Sequence, residues 1–121
     1  MNSKFRLMVI DDEPIVGKRL KMMLEKEGYS VESFIDAQKA ISALEKRHFD
    51  IIITDLKMEG VDRMKILEIV RKKNPDTKVI IITGFGKKET AAQAFEKGVF
   101  DFIIKPFKID ELKQVLKKAE N

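Results

Sequence analysis

Four short apolar runs each end in a residue suited to metal or phosphate chemistry. Leu7–Ile10 leads into Asp11 and Asp12, Ile51–Thr54 into Asp55, Val79–Ile82 into Thr83, and Phe100–Ile104 into Lys105. Two adjacent acids joined in space by a third repel one another unless a proton or a cation intervenes. Hard oxygen ligands from a few carboxylates, completed by water and phosphate, match magnesium best. A carboxylate can also take a phosphoryl group in line to form an acyl phosphate. Thr83 offers a hydroxyl donor to a phosphoryl oxygen, Lys105 a compact positive charge, and Gly84 leaves room beside Thr83. Each also has a plainer reading. Asp11, Asp12 and Glu13 favour the positive end of a following helix, Thr83 is a β-branched strand residue, and Lys105 is a solvated charge before Pro106. Agreement among four strand ends makes one shared site the better account.

Positioning those residues is the work of the segments between them. Strands are expected over Phe5–Ile10, Val31–Phe34, Ile51–Thr54, Lys78–Ile82 and Phe100–Ile104. The first helix runs from Pro14 toward Gly28 and buries Val16, Leu20, Met23 and Leu24. The second follows an Asp36 cap and buries Ala37, Ala40, Ile41 and Leu44. The third starts near Asp62, buries Ile66, Leu67 and Val70, and stops at Asn74-Pro75. A fourth is expected over Glu89–Lys97, ending at Gly98. The fifth begins near Asp110 and buries Leu112, Val115, Leu116 and Ala119. Five such alternations force right-handed crossovers, giving a doubly wound parallel five-stranded sheet of the α/β class with helices on both faces. A closed eight-stranded barrel needs roughly twice this length. In an open α/β sheet ligands sit beyond the carboxyl ends of the strands, where Asp11, Asp12, Asp55, Thr83 and Lys105 all fall.

Composition narrows the alternatives. At 121 residues with 44% hydrophobic residues, the chain is expected to form one globular domain over 1–121. No apolar run approaches the roughly 20 residues of a membrane helix, and the first strand starts too early for a signal peptide. The expected location is therefore cytoplasmic, with no membrane partner. Without cysteine, disulfides, thiolate metal sites and a cysteine nucleophile are excluded. The net charge of +4 comes from 24 Lys+Arg and 20 Asp+Glu in mixed order. Clusters such as Arg71-Lys72-Lys73 and Lys117-Lys118 fall at helix C-termini, where they offset the dipole, so direct nucleic-acid binding is not expected.

The set Asp11-Asp12, Asp55, Thr83 and Lys105-Pro106 resembles the receiver domain of two-component response regulators, over essentially the whole chain. Val9–Pro14, Thr54–Met58 and Asp101–Phe107 look most like receivers joined to transcriptional activators. The resemblance implies a flavodoxin-like (βα)5 three-layer sandwich with strand order 2-1-3-4-5. It also implies that Asp55 accepts a phosphoryl group from a histidine kinase or phosphotransfer protein. By the same likeness Asp12 and Asp55 ligate Mg2+, Lys57 adds its backbone carbonyl, and Asp11 acts through water. Thr83 and Lys105 would bind the phosphoryl oxygens, and the Lys105–Pro106 peptide would be cis. Thr83 and Phe102 would form the switch, reshaping the face of the fourth helix, fifth strand and fifth helix toward an output domain, an effector or a second copy of the chain. Phe102 also reads as a plain strand aromatic at the core's edge.

Glu59 and Arg63 depart from the proline and glycine that receivers often carry there. They bear on the loop after Asp55 and on magnesium affinity, not on the reactive groups. Lys57 and Phe85 hold positions that tune acyl-phosphate lifetime in such domains. His48, the only histidine, reads as a helix C-terminal residue favoured by the dipole, and Met22 and Met23 as packing of the first helix. Lys87, Lys88, Lys97, Lys108 and Lys113 would give the output face a basic cast.

The expected function is a phosphorylation-controlled switch with no turnover of an external substrate. One alternative is a receiver-like docking module without chemistry. A second is an aspartate-nucleophile magnesium phosphatase, which needs a second acid where Lys57 stands. A third is a flavin carrier, which needs a Ser/Thr/Gly-rich phosphate loop after the first strand, where Asp11-Asp12-Glu13 would instead repel the ligand.

Overall fold

A computed structural model describes residues 5–55, 63–84, 92, 95, 96 and 98–120, with the backbone alone at 63–65. Its strands are β1 (Arg6–Ile10), β2 (Ser30–Phe34), β3 (Ile51–Thr54), β4 (Lys78–Thr83) and β5 (Asp101–Ile104). They form one sheet in the order β2-β1-β3-β4-β5, every neighbouring pair parallel. The described helices are α1 (Pro14–Lys26), α2 (Ala37–Lys46), α3 (Arg63–Lys73) and α4 (Ile109–Glu120), the last being the fifth helix of the sequence reading. Most of the helix expected over Glu89–Lys97 lies outside the described residues, although 92, 95 and 96 are helical. Lys57, Met58, Glu59, Phe85, Lys87, Lys88, Lys97 and the side chain of Arg63 also lie outside them.

Alternation along each strand sends side chains to two separate cores. Met8, Ile10, Ile52, Val79 and Ile81 pack against Ala37, Ala40 and Leu44 of α2 and Ile66, Leu67 and Val70 of α3. Leu7, Val9, Ile51, Ile53, Ile80 and Ile82 pack against Leu20 and Leu24 of α1 and Leu112, Leu116 and Ala119 of α4. Burial on both faces explains why the central strands read as unbroken apolar runs. Each fully buried isoleucine contributes about 1.5–3 kcal/mol of transfer free energy.

Local chemistry sets the helix ends. Pro14 opens α1, where a missing N–H costs nothing. Gly28 takes the positive φ of 99° that follows it. Asp36 caps α2 by accepting the Gln38 backbone N–H at 2.8 Å. Basic residues close α3 and α4, Arg71, Lys72 and Lys73 in one and Lys117 and Lys118 in the other, as the dipole favours.

Several expectations need correction. The buried stripe of α1 is Gly17, Leu20 and Leu24, with Val16 half-buried, while Met22 is 61% and Met23 37% exposed. On a 3.6-residue period Met22 points away from Leu20 and Leu24, and Met23 lies at the stripe's edge. Gly17 joins the stripe because an added Cβ would already touch Ser33 at 3.5 Å. Ile41 and Val115 are half-buried flanks. His48 does not cap a helix. α2 ends at Lys46, and Arg47 is already extended (φ −136°, ψ 152°), which carries the chain off the helix axis. The His48 ring instead lies 3.3 Å from Asp50 Oδ1 and 3.4 Å from Asn74 Oδ1. Lys113 reaches toward α1, pairing with Glu27 at 3.3 Å.

Candidate functional site

Backbone hydrogen bonds align the strand ends before any side chain acts. Asp11 donates its N–H to the Phe34 carbonyl at 3.0 Å, and Asp55 to the Ile10 carbonyl at 3.1 Å. Lys105 donates its N–H to the Thr83 carbonyl at 2.9 Å. The residues after β1, β3 and β5 are thereby each held by a neighbouring strand.

The side chains then converge. Lys105 Nζ lies 2.9 Å from Asp55 Oδ2 and 3.3 Å from Asp11 Oδ2. The two carboxylates are deeply buried, with side chains 7% and 5% exposed, whereas Lys105 is 26% exposed. Asp11 also accepts the Glu13 backbone N–H at 2.9 Å, which fixes its carboxylate at the mouth of α1. Thr83 is fully buried, and an added Cβ at Gly84 would meet nothing within 4 Å. The Lys105–Pro106 peptide is cis.

Electrostatics at this rim pull in two directions. Burial raises the Asp11 carboxyl above its ordinary value and Asp55 repels it further, while the Glu13 N–H and Lys105 only partly offset this. Burial alone would lower the Lys105 ammonium, but its hydrogen bond to Asp55 and the charges of Asp11 and Asp55 win, and its pKa is raised. The two shifts are compatible. One ammonium shared by two buried carboxylates is strongly held, yet leaves Asp11 short of positive charge.

Asp11, Asp55 and Lys105 are thus brought together, with Thr83 and Gly84 on the adjoining strand end. Asp12 is exposed beside Asp11. Among the described residues no three acidic or histidine side chains form a ready metal centre. The donor chemistry nevertheless fits a hard divalent cation. Two buried carboxylates share the Lys105 ammonium at the rim, and a third acid, Asp12, stands next in sequence and exposed. The bridging of Asp11 by Lys105 was not apparent from sequence. The partners are 94 residues apart, and their meeting depends on β5 and β1 both lying within two strands of β3.

Residues 7–117 match the response regulator receiver domain family, and the chain belongs to it. It is 34% identical over 115 residues to the nitrogen assimilation regulatory protein NtrX of Azorhizobium caulinodans, covering 93% of this chain and 25% of that protein. It is 34% identical over 120 residues to the C4-dicarboxylate transport transcriptional regulatory protein DctD of Rhizobium meliloti, covering 99% of this chain and 26% of that protein. The chain therefore spans about a quarter of the length of these relatives. Among solved structures, the beryllofluoride-activated NtrC4 receiver domain dimer superposes with a TM-score of 0.89 at 32% identity, covering 94% of each chain. The fold is that of receiver domains, and no described helix is long and apolar enough to cross a membrane.

Proposed function

We propose that this domain is a phosphorylation-activated receiver in which Asp55 is the phosphoacceptor. The observation that carries the reading is the 2.9 Å contact between Lys105 Nζ and Asp55 Oδ2 at the carboxyl edge of the sheet. A buried carboxylate beside a positive charge at the rim, in a chain of the receiver family, supports this reading.

A carboxylate oxygen of Asp55 forms a bond to phosphorus as the N–P bond of a donor phosphohistidine breaks and the imidazole leaves. The Lys105 ammonium is close enough to pass from the Asp55 carboxylate to an oxygen of the arriving phosphoryl group. Thr83 donates its hydroxyl to another oxygen, and Gly84 leaves space for the group. Asp12 and Asp55 would hold Mg2+, with Asp11 acting through water and Lys57 through its backbone carbonyl. When bound, magnesium neutralises charge developing on the phosphoryl oxygens. Phosphorylation then acts through Thr83 and Phe102 on the face that includes β5 and α4.

On this reading residues 1–121 are a single receiver domain, its chemistry is confined to its own modification, and it works in the cytoplasm. Its partners are a histidine kinase or phosphotransfer protein and an output domain or effector. The likeness to the NtrC4 dimer supports self-association on activation. The test is intact mass after acetyl phosphate treatment, with and without magnesium, for wild type and Asp55→Asn. A single phosphoryl adduct that requires magnesium and is lost in the variant is the expected result. No adduct in wild type, either from acetyl phosphate or from a cognate kinase, would leave a docking module without chemistry.

A further inference from the structure

Thr54 is the one polar residue of β3, placed after Ile51-Ile52-Ile53 and only 2% exposed. It pairs with Ile10 on one side and Ile81 on the other, a setting in which an isosteric valine would be at home. A hydroxyl buried there must find an acceptor or cost stability. Thr54 Oγ1 donates to the backbone carbonyl of Asp55 at 3.2 Å. On its other side Asp55 donates its N–H to the Ile10 carbonyl at 3.1 Å. The peptide units before and after the Asp55 Cα are therefore both held, one by β1 and the other by the threonine hydroxyl. The direction of the Asp55 Cα–Cβ bond follows from those two peptide planes.

We infer that Thr54 is a positioning residue for phosphorylation, its hydroxyl fixing the Asp55 carbonyl so that the carboxylate meets phosphorus in line. The inference rests on Asp55 being the phosphoacceptor. Thr54 takes no part in bond making. With acetyl phosphate, an Asp55 oxygen bonds to phosphorus, the bond from phosphorus to the acetyl oxygen breaks, and acetate leaves. Orientation matters because small misplacements of a reacting group cost rate steeply.

Three proteins separate positioning from packing: wild type, Thr54→Val, which keeps the shape and removes the hydroxyl, and Thr54→Ser, which keeps the hydroxyl and removes a methyl. For each we would measure the melting temperature, the magnesium binding isotherm and the rate of phosphoryl adduct formation from acetyl phosphate. Thr54→Val is expected to melt at or above the wild-type temperature yet phosphorylate about five- to tenfold more slowly. Thr54→Ser is expected to melt lower yet retain a rate within about twofold of wild type. Equal rates in wild type and Thr54→Val, or rates that simply follow the melting temperatures, would overturn the positioning role while leaving Asp55 as phosphoacceptor. Absence of an adduct in wild type with acetyl phosphate and with a cognate kinase alike would instead bring down the phosphoacceptor reading, and the inference with it.

Discussion

Lys105 Nζ donates to Asp55 Oδ2 across 2.9 Å, joining the residue after β5 to the residue after β3 over the end of the strand between them. The same nitrogen is 3.3 Å from Asp11, so a single ammonium offsets two carboxylates. Removing it takes from both buried acids the ammonium they share. A fully buried pair would lose about 3–5 kcal/mol, but partial exposure of Lys105 brings the expected cost of Lys105→Ala to about 1–2 kcal/mol at neutral pH. The Lys105 pKa is raised above 10.5, so its stabilisation is complete below that pH and is lost as pH rises through the folded-state value. The gap between wild type and Lys105→Ala in urea melts should therefore close in strong alkali. If the acidic pair is also a magnesium site, added magnesium will raise the melting temperature more in Lys105→Ala than in wild type.

Asp11 has the opposite sign. Its folded-state pKa lies above 3.8, so the native state binds more protons than the unfolded chain between 3.8 and that raised value. The group is least costly to the fold below pH 3.8. Its cost grows as pH rises from 3.8 through the raised value. Asn keeps an oxygen for the Glu13 N–H while removing the buried charge. Asp11→Asn is accordingly expected to stabilise the domain by about 1 kcal/mol at pH 7, roughly 3–6 °C in melting temperature. The advantage disappears below pH 3.8. A variant that melts below wild type at pH 7 would show that the contact with Lys105 outweighs the cost of burial.

The strands and the acids at their ends were legible in the sequence for one physical reason. A two-sided buried strand is a continuous apolar run, so the first polar residue after it marks the rim. Asp11, Asp55 and Lys105 needed no more than that to be placed on one edge. Helix faces were less legible at their margins. Met23 satisfies an apolar rule at 3.6-residue spacing, yet Gly17, with no side chain to count, makes the closer approach to β2. From sequence His48 reads as a helix-end residue, because nothing local announces that Arg47 turns extended. The double engagement of Lys105 depends on strand order, which crossovers across the whole chain decide. Thr54 looked like the tail of an apolar strand, and only its hydrogen bond to Asp55 gives it a further role.

Gly98 gives a test of the fold away from the site. Its φ is +95°, and a Cβ added there would stand 3.2 Å from Arg71 Cδ. Arg71 has little freedom to retreat, because its Nη2 donates to the Thr77 carbonyl at 2.6 Å. Gly28 has nearly the same φ, +99°, but open space around it. Ala at either position incurs the left-handed penalty of about 1–2 kcal/mol, and only Gly98→Ala adds a clash. Gly98→Ala should therefore melt below Gly28→Ala by a few degrees, on the order of 1 kcal/mol. Equal melting temperatures would mean that Arg71 yields without cost.

Thr83 and Phe102 share one face of the sheet. Ile81 pairs with Phe102, and Thr83 stands two residues beyond Ile81 on the same side. Phe102 is half-buried against the core that includes Ile81 and Val79, so its ring is already seated where changes near Thr83 can reach it. If the threonine hydroxyl moves to a phosphoryl oxygen on Asp55, the volume it leaves is at the edge of that core, and the ring can follow. Thr83→Val keeps the shape of the side chain and removes the group that would be drawn. The ring resonances of Phe102 are expected to shift on phosphorylation in wild type. In Thr83→Val the adduct still forms on Asp55, but the Phe102 shift is reduced severalfold. An undiminished response of Phe102 in that variant would mean that the ring senses phosphorylation by another route, through β5 and Lys105.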